Sequence, residues 1–251
     1  MTYPILDPRQ KDLSLKSLCA LAIMAKAPRP GRVKTRLTPP LTPEEAAAIN
    51  TCFLVDTTKN IAGLADQGGC AGVISYIPVG DEHLFDGLLP DGYRLIAQRG
   101  NDFGERLLTT AQDLFAHGFG SVCLIDSDSP TVPREAFSRA IEALKHGDDR
   151  VVLGPSHDGG YYLIGMKQAH YEIFKNITWS TASVFDETVA AVRAIGVELV
   201  TLPMWYDVDD AETLALLRCE LVDGLKPEFT ALSGYPAEQT RSFLRRLDDP
   251  A

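Results

Sequence analysis

The feature that most constrains this chain is an uninterrupted apolar run, Leu18 to Met24 (LCALAIM), followed by a basic, proline-rich loop and then a capped helix. A run without polar alternation is buried on both faces, as in a parallel strand covered by helices above and below. The same strand-then-helix pattern recurs downstream. Thr42 caps a helix with Pro43 at its first position, Glu45 closes a capping box, and the helix is expected to reach about Leu64. Strands are expected at 73–77, 94–98 and 121–125, with a helix between the last two that Asp102 caps, Glu105 supports and Gly118 stops. Pro133 opens a further helix ending near Gly147. Short strands follow at 151–153 and 161–164, helices at 167–174 and 183–195, and a strand at 198–202. A helix capped by Asp209, with Glu212 three residues on, precedes a polar helical tail.

Such alternation predicts an α/β fold: a mostly parallel, doubly wound sheet with helices on both faces. The expected organisation is one domain over 1–251, with a loose tail at 1–17 and a helical extension at 223–251. Ligands of such sheets lie outside the carboxyl ends of the strands. The segments following each strand are therefore the places to look for chemistry.

Charge narrows the function classes. The net charge of −10 argues against nucleic-acid binding, because a phosphate backbone needs a basic face. No apolar run approaches a membrane span, and residues 1–17 hold no apolar core of a secretory signal. The five cysteines, at 19, 52, 70, 123 and 219, form no CxxC pair and read as reduced, scattered thiols. A cytoplasmic location is the expectation.

Against that acidic background, Lys26, Arg29, Arg32, Lys34 and Arg36 crowd the loop after the first strand. Cations at a strand's C-terminal end, with Gly31 permitting close backbone approach, suit phosphate oxygens. The loop is neither a GxGxxG fingerprint nor a GxxxxGK[ST] loop. After the fourth strand comes Asp126-Ser127-Asp128-Ser129-Pro130. Two carboxylates two residues apart share a side of an extended chain, and hard oxygen ligands suit Mg²⁺. A turn bonded to its own backbone, or an aspartyl-phosphate phosphatase with Asp126 as nucleophile, are the alternatives. Asp207 and Asp209 form a second acidic cluster. Asp209 is explained as a helix cap, which leaves Asp207 the freer carboxylate to complete a metal site. Gly159-Gly160 would let a ligand or another backbone approach closely. Ser180 and Thr181 read first as helix caps and Trp179 as core, with substrate contact as the second reading. Arg106 faces either an anion or solvent.

Taken in order, the segments MAKAPRPGRVKTRL, QRGNDFGERL, LIDSDSP, GPSHDGGYYLIG, ITWST and YDVDDAETL resemble a bacterial family, DUF2064, also described as a transferase associated with radical-SAM and selenium-related gene sets. The resemblance spans residues 18–217. It implies a glycosyltransferase-A fold, that of nucleotide-diphospho-sugar transferases, with guanylyltransferases as more distant look-alikes. It further implies that Lys26, Arg32, Lys34 and Arg36, with Arg106, hold the phosphates of a nucleotide or nucleotide-sugar donor. Mg²⁺ or Mn²⁺ would sit on Asp128, with Asp126, Asp207 and Asp209 as further candidate ligands. A small-molecule acceptor would lie over Asp158, Gly159, Gly160 and Tyr161, next to Trp179, Ser180 and Thr181. Lys34 and Asp128 are the residues expected to carry catalysis. Glycosyl transfer, nucleotidyl transfer with release of pyrophosphate, and non-catalytic nucleotide binding all stay open at this point.

Overall fold

The structure, a computed structural model, describes residues 2–145 and 147–248; residues 1, 146 and 249–251 of the expected 1–251 span lie outside the described residues. Seven strands form one sheet: β1 (Cys19–Lys26), β2 (Cys70–Ile77), β3 (Arg94–Ala97), β4 (Ser121–Ile125), β5 (Arg150–Pro155), β6 (Tyr161–Met166) and β7 (Glu198–Thr201), in the order β3-β2-β1-β4-β6-β5-β7. Pairings are parallel except those of β6, which runs against both β4 and β5. The reason is connection length. Only residues 156–160 join β5 to β6, enough for a hairpin and far too few for a parallel crossover.

The helices are α1 (Pro43–Ala65), α2 (Phe103–His117), α3 (Arg134–Lys145), α4 (Val184–Ala194), α5 (Ala211–Leu221) and α6 (Glu238–Asp248). They cover both faces of the sheet. Along β1, Cys19, Leu21, Ile23 and Ala25 face a core shared with α1, α3, α5 and α6, while Ala20 and Ala22 face one shared with α2 and α4. This two-sided burial is what an unbroken apolar run requires. This is the α/β architecture expected from the sequence, a mostly parallel sheet with helices on both faces.

Start signals written into the sequence act as read at α1 and α2. Thr42 and Glu45 form a reciprocal capping box, and Asp102 accepts from the Glu105 backbone N–H. Three expectations change. The N-terminal segment is not a loose tail: Leu6 N–H donates to Leu95 O and Leu95 N–H to Pro4 O, each at 2.8 Å, so it adds a short stretch to the edge of β3. The helix expected at 167–174 shrinks to a 3₁₀ turn at Tyr171–Phe174. The residues before it are drawn back to the 147–149 turn, with Lys167 Nζ on Gly147 O and Gln168 Nε2 on Asp149. The C-terminal extension, expected as helical from 223, is helical among the described residues only over α6, which is docked on the body of the protein through a buried carboxylate. Asp56 on α1 accepts from the backbone N–H groups of Gln239 and Thr240 and from the Thr240 hydroxyl, capping α6 from another helix.

All five cysteines are free. They are less scattered than the sequence suggests, since Cys19 and Cys123 meet in the core with sulfurs 3.8 Å apart. No helix among the described residues is long and apolar enough to cross a membrane.

Candidate active site

Outward from β1 the sheet runs one way to β2 and the other way to β4, and at such a reversal the loops after the two strands diverge and leave a crevice. A two-lobed cleft opens there. The wider lobe, about 530 Å³, is lined by the loop after β1 and by Arg106 from α2. The narrower lobe, about 210 Å³, lies towards the β5–β6 turn and the segment before α4. Asp126, Asp128 and Asp209 border both lobes, together with Met24, Phe103 and Ser180.

Charge separates the lobes. Lys26, Arg32, Lys34, Arg36 and Arg106 all line the wide lobe. Among the described residues, the lining of the narrow lobe includes Asp126, Asp128, Asp158, Asp207 and Asp209 and no Lys, Arg or His. Arg29, the remaining cation of the loop, is diverted to an ion pair with Asp81 and is a structural residue.

Lys34 is the hinge of the arrangement. It adopts a left-handed backbone, φ 49°, that turns its side chain into the protein, where only 4% of it is exposed. Its ammonium lies 2.8 Å from Asp128 Oδ1, 3.0 Å from Asp209 Oδ1 and 2.7 Å from Val208 O, so all three donors are used. The ring of Phe53 lies beneath it, 5.6 Å from nitrogen to centroid. Burial alone would push this ammonium down, but the attraction of Asp128 and Asp209 outweighs it and the net shift is upward. The expectation of Lys34 as a free phosphate ligand is thereby revised: its contacts go to the carboxylates. Lys26 and Arg32 are exposed, and Arg36, 75% exposed, makes only a loose 3.9 Å approach to Asp209. These three, with Arg106 held over the Phe103 ring, are the cations open to a ligand.

The acidic side is held by its own turns. Asp126 accepts from the Ser129 hydroxyl at 2.7 Å, and Asp128 from the Ser127 hydroxyl at 3.0 Å. Val208 N–H donates to Asp128 O, which fastens the chain after β7 to the turn after β4. Asp207 accepts from Ser156 Oγ at 2.8 Å. Burial, then the charges of Asp128 and Asp207, hold the Asp126 carboxyl well above the usual range. Burial, then Asp158, push Asp207 up to about 6.

The helix cap needs correction. Asp210, not Asp209, is the N-cap of α5, and Thr213 rather than Glu212 completes the box. Both spacings fit a capping pattern in the sequence. Asp210 takes the role because its backbone is the extended one, φ −143° and ψ −178°, that a cap requires. Asp209 is thereby released to Lys34.

Among the described residues, no three of His, Cys, Asp and Glu gather closely enough to enclose a metal ion. Asp128 and Asp209 nonetheless both reach one cationic centre, the Lys34 ammonium. Mg²⁺ needs only one or two protein carboxylates when phosphate oxygens and water supply the rest. The donor set fits Mg²⁺ or Mn²⁺ shared with a phosphorylated substrate, and not a closed zinc cage.

The wall of the narrow lobe is aromatic. Trp179 is half-buried and meets Phe103 edge-on, with centroids 5.2 Å apart and planes at 85°. A Cβ on Gly104 would come within 2.6 Å of Trp179 Nε1, so that glycine makes room for the indole. Gly159, φ +90°, has a comparable job. A Cβ there would lie 2.2 Å from Ala182 O, so what approaches this turn is the backbone of the 179–182 segment. Gly160 N–H donates to Asp158 Oδ1 at 2.9 Å, and Tyr161 lines the same lobe. Ser180 and Thr181 do not cap α4, whose N-cap position is Ser183 without a capping side-chain bond. Ser180 instead sits at φ +63° and borders both lobes; Thr181 bonds Thr178 O. Phe103 and Ser156 are site residues that the sequence reading did not single out. Phe103 carried a signal, an apolar residue in the first turn of an expected helix, and it is 43% exposed.

Comparison with known proteins follows the same line. The family described as "Uncharacterized protein conserved in bacteria (DUF2064)" matches residues 60–181. The crystal structure of a provisionally designated nucleotide-diphospho-sugar transferase from Desulfovibrio desulfuricans G20 is 31% identical over 92% of this chain and 95% of that one, with a TM-score of 0.76. CMP:2-keto-3-deoxy-manno-octonic acid synthetase complexed with CTP is 11% identical over 83% of this chain and 100% of its own, TM-score 0.51. The 4-diphosphocytidyl-2C-methyl-D-erythritol synthase of Anaerococcus prevotii DSM 20548 is 12% identical over 84% and 99%, TM-score 0.50. At those two identities the likeness is one of fold. No curated protein sequence matches the chain significantly.

Proposed function

The chain belongs to the bacterial DUF2064 family with the nucleotide-diphospho-sugar transferase fold, and on that premise we propose that it is a metal-dependent transferase using a nucleotide or nucleotide-sugar donor. One observation carries the reading: a cationic lobe and an acidic lobe meet at Asp128 and Asp209. That is the geometry needed to hold donor phosphates on one side and an acceptor on the other.

In this account Lys26, Arg32, Arg36 and Arg106 bind the donor's phosphates through charge-assisted hydrogen bonds. Asp128, with Asp209 as its partner, would hold Mg²⁺ or Mn²⁺, while Asp126 and Asp207, expected as further ligands, would lie outside its contacts. When bound, the ion neutralises charge that develops on the leaving phosphate oxygens. Lys34 is a positioning residue. It keeps the two carboxylates aimed at one point and balances part of their charge. The narrow lobe, with Asp158, Gly159, Gly160, Tyr161, Trp179, Ser180 and Thr181, receives a small-molecule acceptor. The protein is proposed to work in the cytoplasm, as a single domain over 1–251.

Glycosyl transfer from a nucleotide sugar is the preferred chemistry, because the 31%-identical relative is designated a nucleotide-diphospho-sugar transferase. Nucleotidyl transfer with release of pyrophosphate uses the same two lobes. The test is a thermal-shift screen against NTPs, NDPs and NDP-sugars with and without Mg²⁺. Binding to the folded state raises the melting temperature by mass action. A Mg²⁺-dependent shift with an NDP-sugar supports glycosyl transfer, and one with an NTP alone supports nucleotidyl transfer. No shift with any nucleotide at saturation would refute the donor assignment.

A further inference from the structure

The narrow lobe is specific enough to define the chemistry of what enters it. Asp158 and Asp207, its carboxylates that do not border the other lobe, have no cation beside them on the lining described, whereas Asp128 and Asp209 at the shared wall are paired with Lys34 and every exposed cation of the cleft lies in the other lobe. A phosphorylated or carboxylated acceptor would place an anion against Asp158 and Asp207 with no guanidinium or ammonium to meet it. Like charges juxtaposed in this way are a strong rejection. Carboxylates accept hydrogen bonds and donate none when ionised, so they call for a ligand rich in donors. Asp207 already takes Ser156 Oγ, and Asp158 takes Gly160 N–H, which fixes both side chains and leaves each further acceptor positions.

Another part of the lining is apolar. Trp179 and Phe103 form its aromatic part, with Leu107 and Val184 beside them. Gly104 and Gly159 are the positions that let Trp179 and the segment carrying it pack so closely, so this wall is built into the fold. A pocket lined by both aromatic rings and hydrogen-bond acceptors matches a ring with a C–H face and a hydroxylated edge. An ammonium ligand would satisfy the carboxylates too, but the partners they already hold, Ser156 Oγ and Gly160 N–H, are neutral donors of the kind a hydroxyl supplies.

We infer that the narrow lobe takes an uncharged polyhydroxyl acceptor, a sugar or polyol without phosphate or carboxylate, laid against Trp179 with its hydroxyls on Asp158 and Asp207. This rests on the proposed transferase function and names its acceptor class. In the transfer, the acceptor hydroxyl oxygen forms the new bond to the transferred group. The bond from that group to the donor's phosphate oxygen breaks, its electron pair leaving on that oxygen. The hydroxyl proton passes to the Asp158 carboxylate. Asp158 is then the residue that discriminates against anionic acceptors.

The experiment uses the full chain and its tryptophan emission, in which a ligand in the lobe touches Trp179 while Trp205, fully buried, emits without touching it. Glucose and glucose 6-phosphate, glycerol and glycerol 3-phosphate, and glucosamine are titrated separately, with no nucleotide present. The uncharged member of each pair is expected to perturb the emission and bind about tenfold tighter than its phosphorylated partner. A phosphorylated member binding as tightly, glucosamine binding more tightly than glucose, or no sugar or polyol perturbing the emission would each overturn the assignment. Asp158→Asn keeps an acceptor for Gly160 N–H while removing the charge. It should shrink the discrimination about threefold or more; unchanged discrimination would remove Asp158 from specificity. Because these titrations need no nucleotide, their failure is separable from failure of the donor screen.

Discussion

The two lobes of the cleft share a wall and have opposite electrostatics, and they are built differently. In the wide lobe three of the open cations, Lys26, Arg32 and Arg36, are exposed side chains at the end of β1 and on the loop after it, held by few contacts, and the fourth, Arg106, comes from α2. In the narrow lobe the carboxylates are tied by Ser129, Ser127, Ser156 and Gly160, and the aromatic wall is locked by glycines. The difference suggests a loop that can adapt around a donor's phosphates next to a preformed pocket for the acceptor. Lys34 joins the two. Its chain position belongs to the basic loop and its ammonium to the acidic side.

The largest effect is expected where the lobes meet. Asp128→Asn should lower metal-dependent turnover by about 100-fold or more, the scale of losing one electrostatic contact to the reacting phosphates. Nucleotide affinity without metal should change far less. Steady-state rates with the donor found by thermal shift would check this, and equal rates would take Asp128 out of the mechanism. Lys34→Met comes next. It leaves Asp128 and Asp209 facing each other without their buried cation, and should cost about 2–3 kcal/mol of stability, discounted because both carboxylates are partly exposed. Urea denaturation would measure it. A loss below about 0.5 kcal/mol would break the picture of Lys34 as the joint.

A smaller effect is expected from pH. The Asp207 carboxyl is raised from 3.8 to about 6, so the folded protein holds that proton more tightly than the unfolded chain does. Ionising it therefore costs stability. The penalty is absent below about pH 4, grows as pH rises, and is complete above about pH 6. The melting temperature of metal-free protein should fall over that window, and Asp207→Asn should flatten the fall. A melting temperature that rises through the same window in wild type and variant alike would contradict the assignment. Arg36→Ala should be the mildest change. Its 3.9 Å approach to Asp209 is exposed, so stability should move by less than about 0.5 kcal/mol. Nucleotide affinity should still weaken severalfold in a titration, and unaltered affinity would exclude Arg36 from the wide lobe's function.

Much of this was legible in the sequence where local physics decides the outcome. The apolar run at 18–24 required two covered faces, and the capping residues at 42–45 and 102–105 placed helix starts correctly. The basic loop and the Asp126–Asp128 turn were identifiable because each follows a strand. What was not legible depended on tertiary partners. Asp209-x-x-Glu212 and Asp210-x-x-Thr213 are equally good caps on paper, and only backbone direction chooses between them. The inward turn of Lys34 depends on Asp128 and Asp209, which are distant in the chain. The meaning of Gly159 depends on Ala182, which no local pattern announces. The edge pairing of the N-terminal segment is likewise a contact with β3 that its own composition does not suggest.

The most direct test of the central claim is a crystal structure of the protein with Mn²⁺ and the nucleotide that gives the largest thermal shift, with the metal located by its anomalous signal. The account predicts Mn²⁺ bonded to Asp128, and the phosphates lying along Lys26, Arg32, Arg36 and Arg106 in the wide lobe. Phosphates lodged beside Asp158 and Trp179, or a metal that does not touch Asp128, would contradict it.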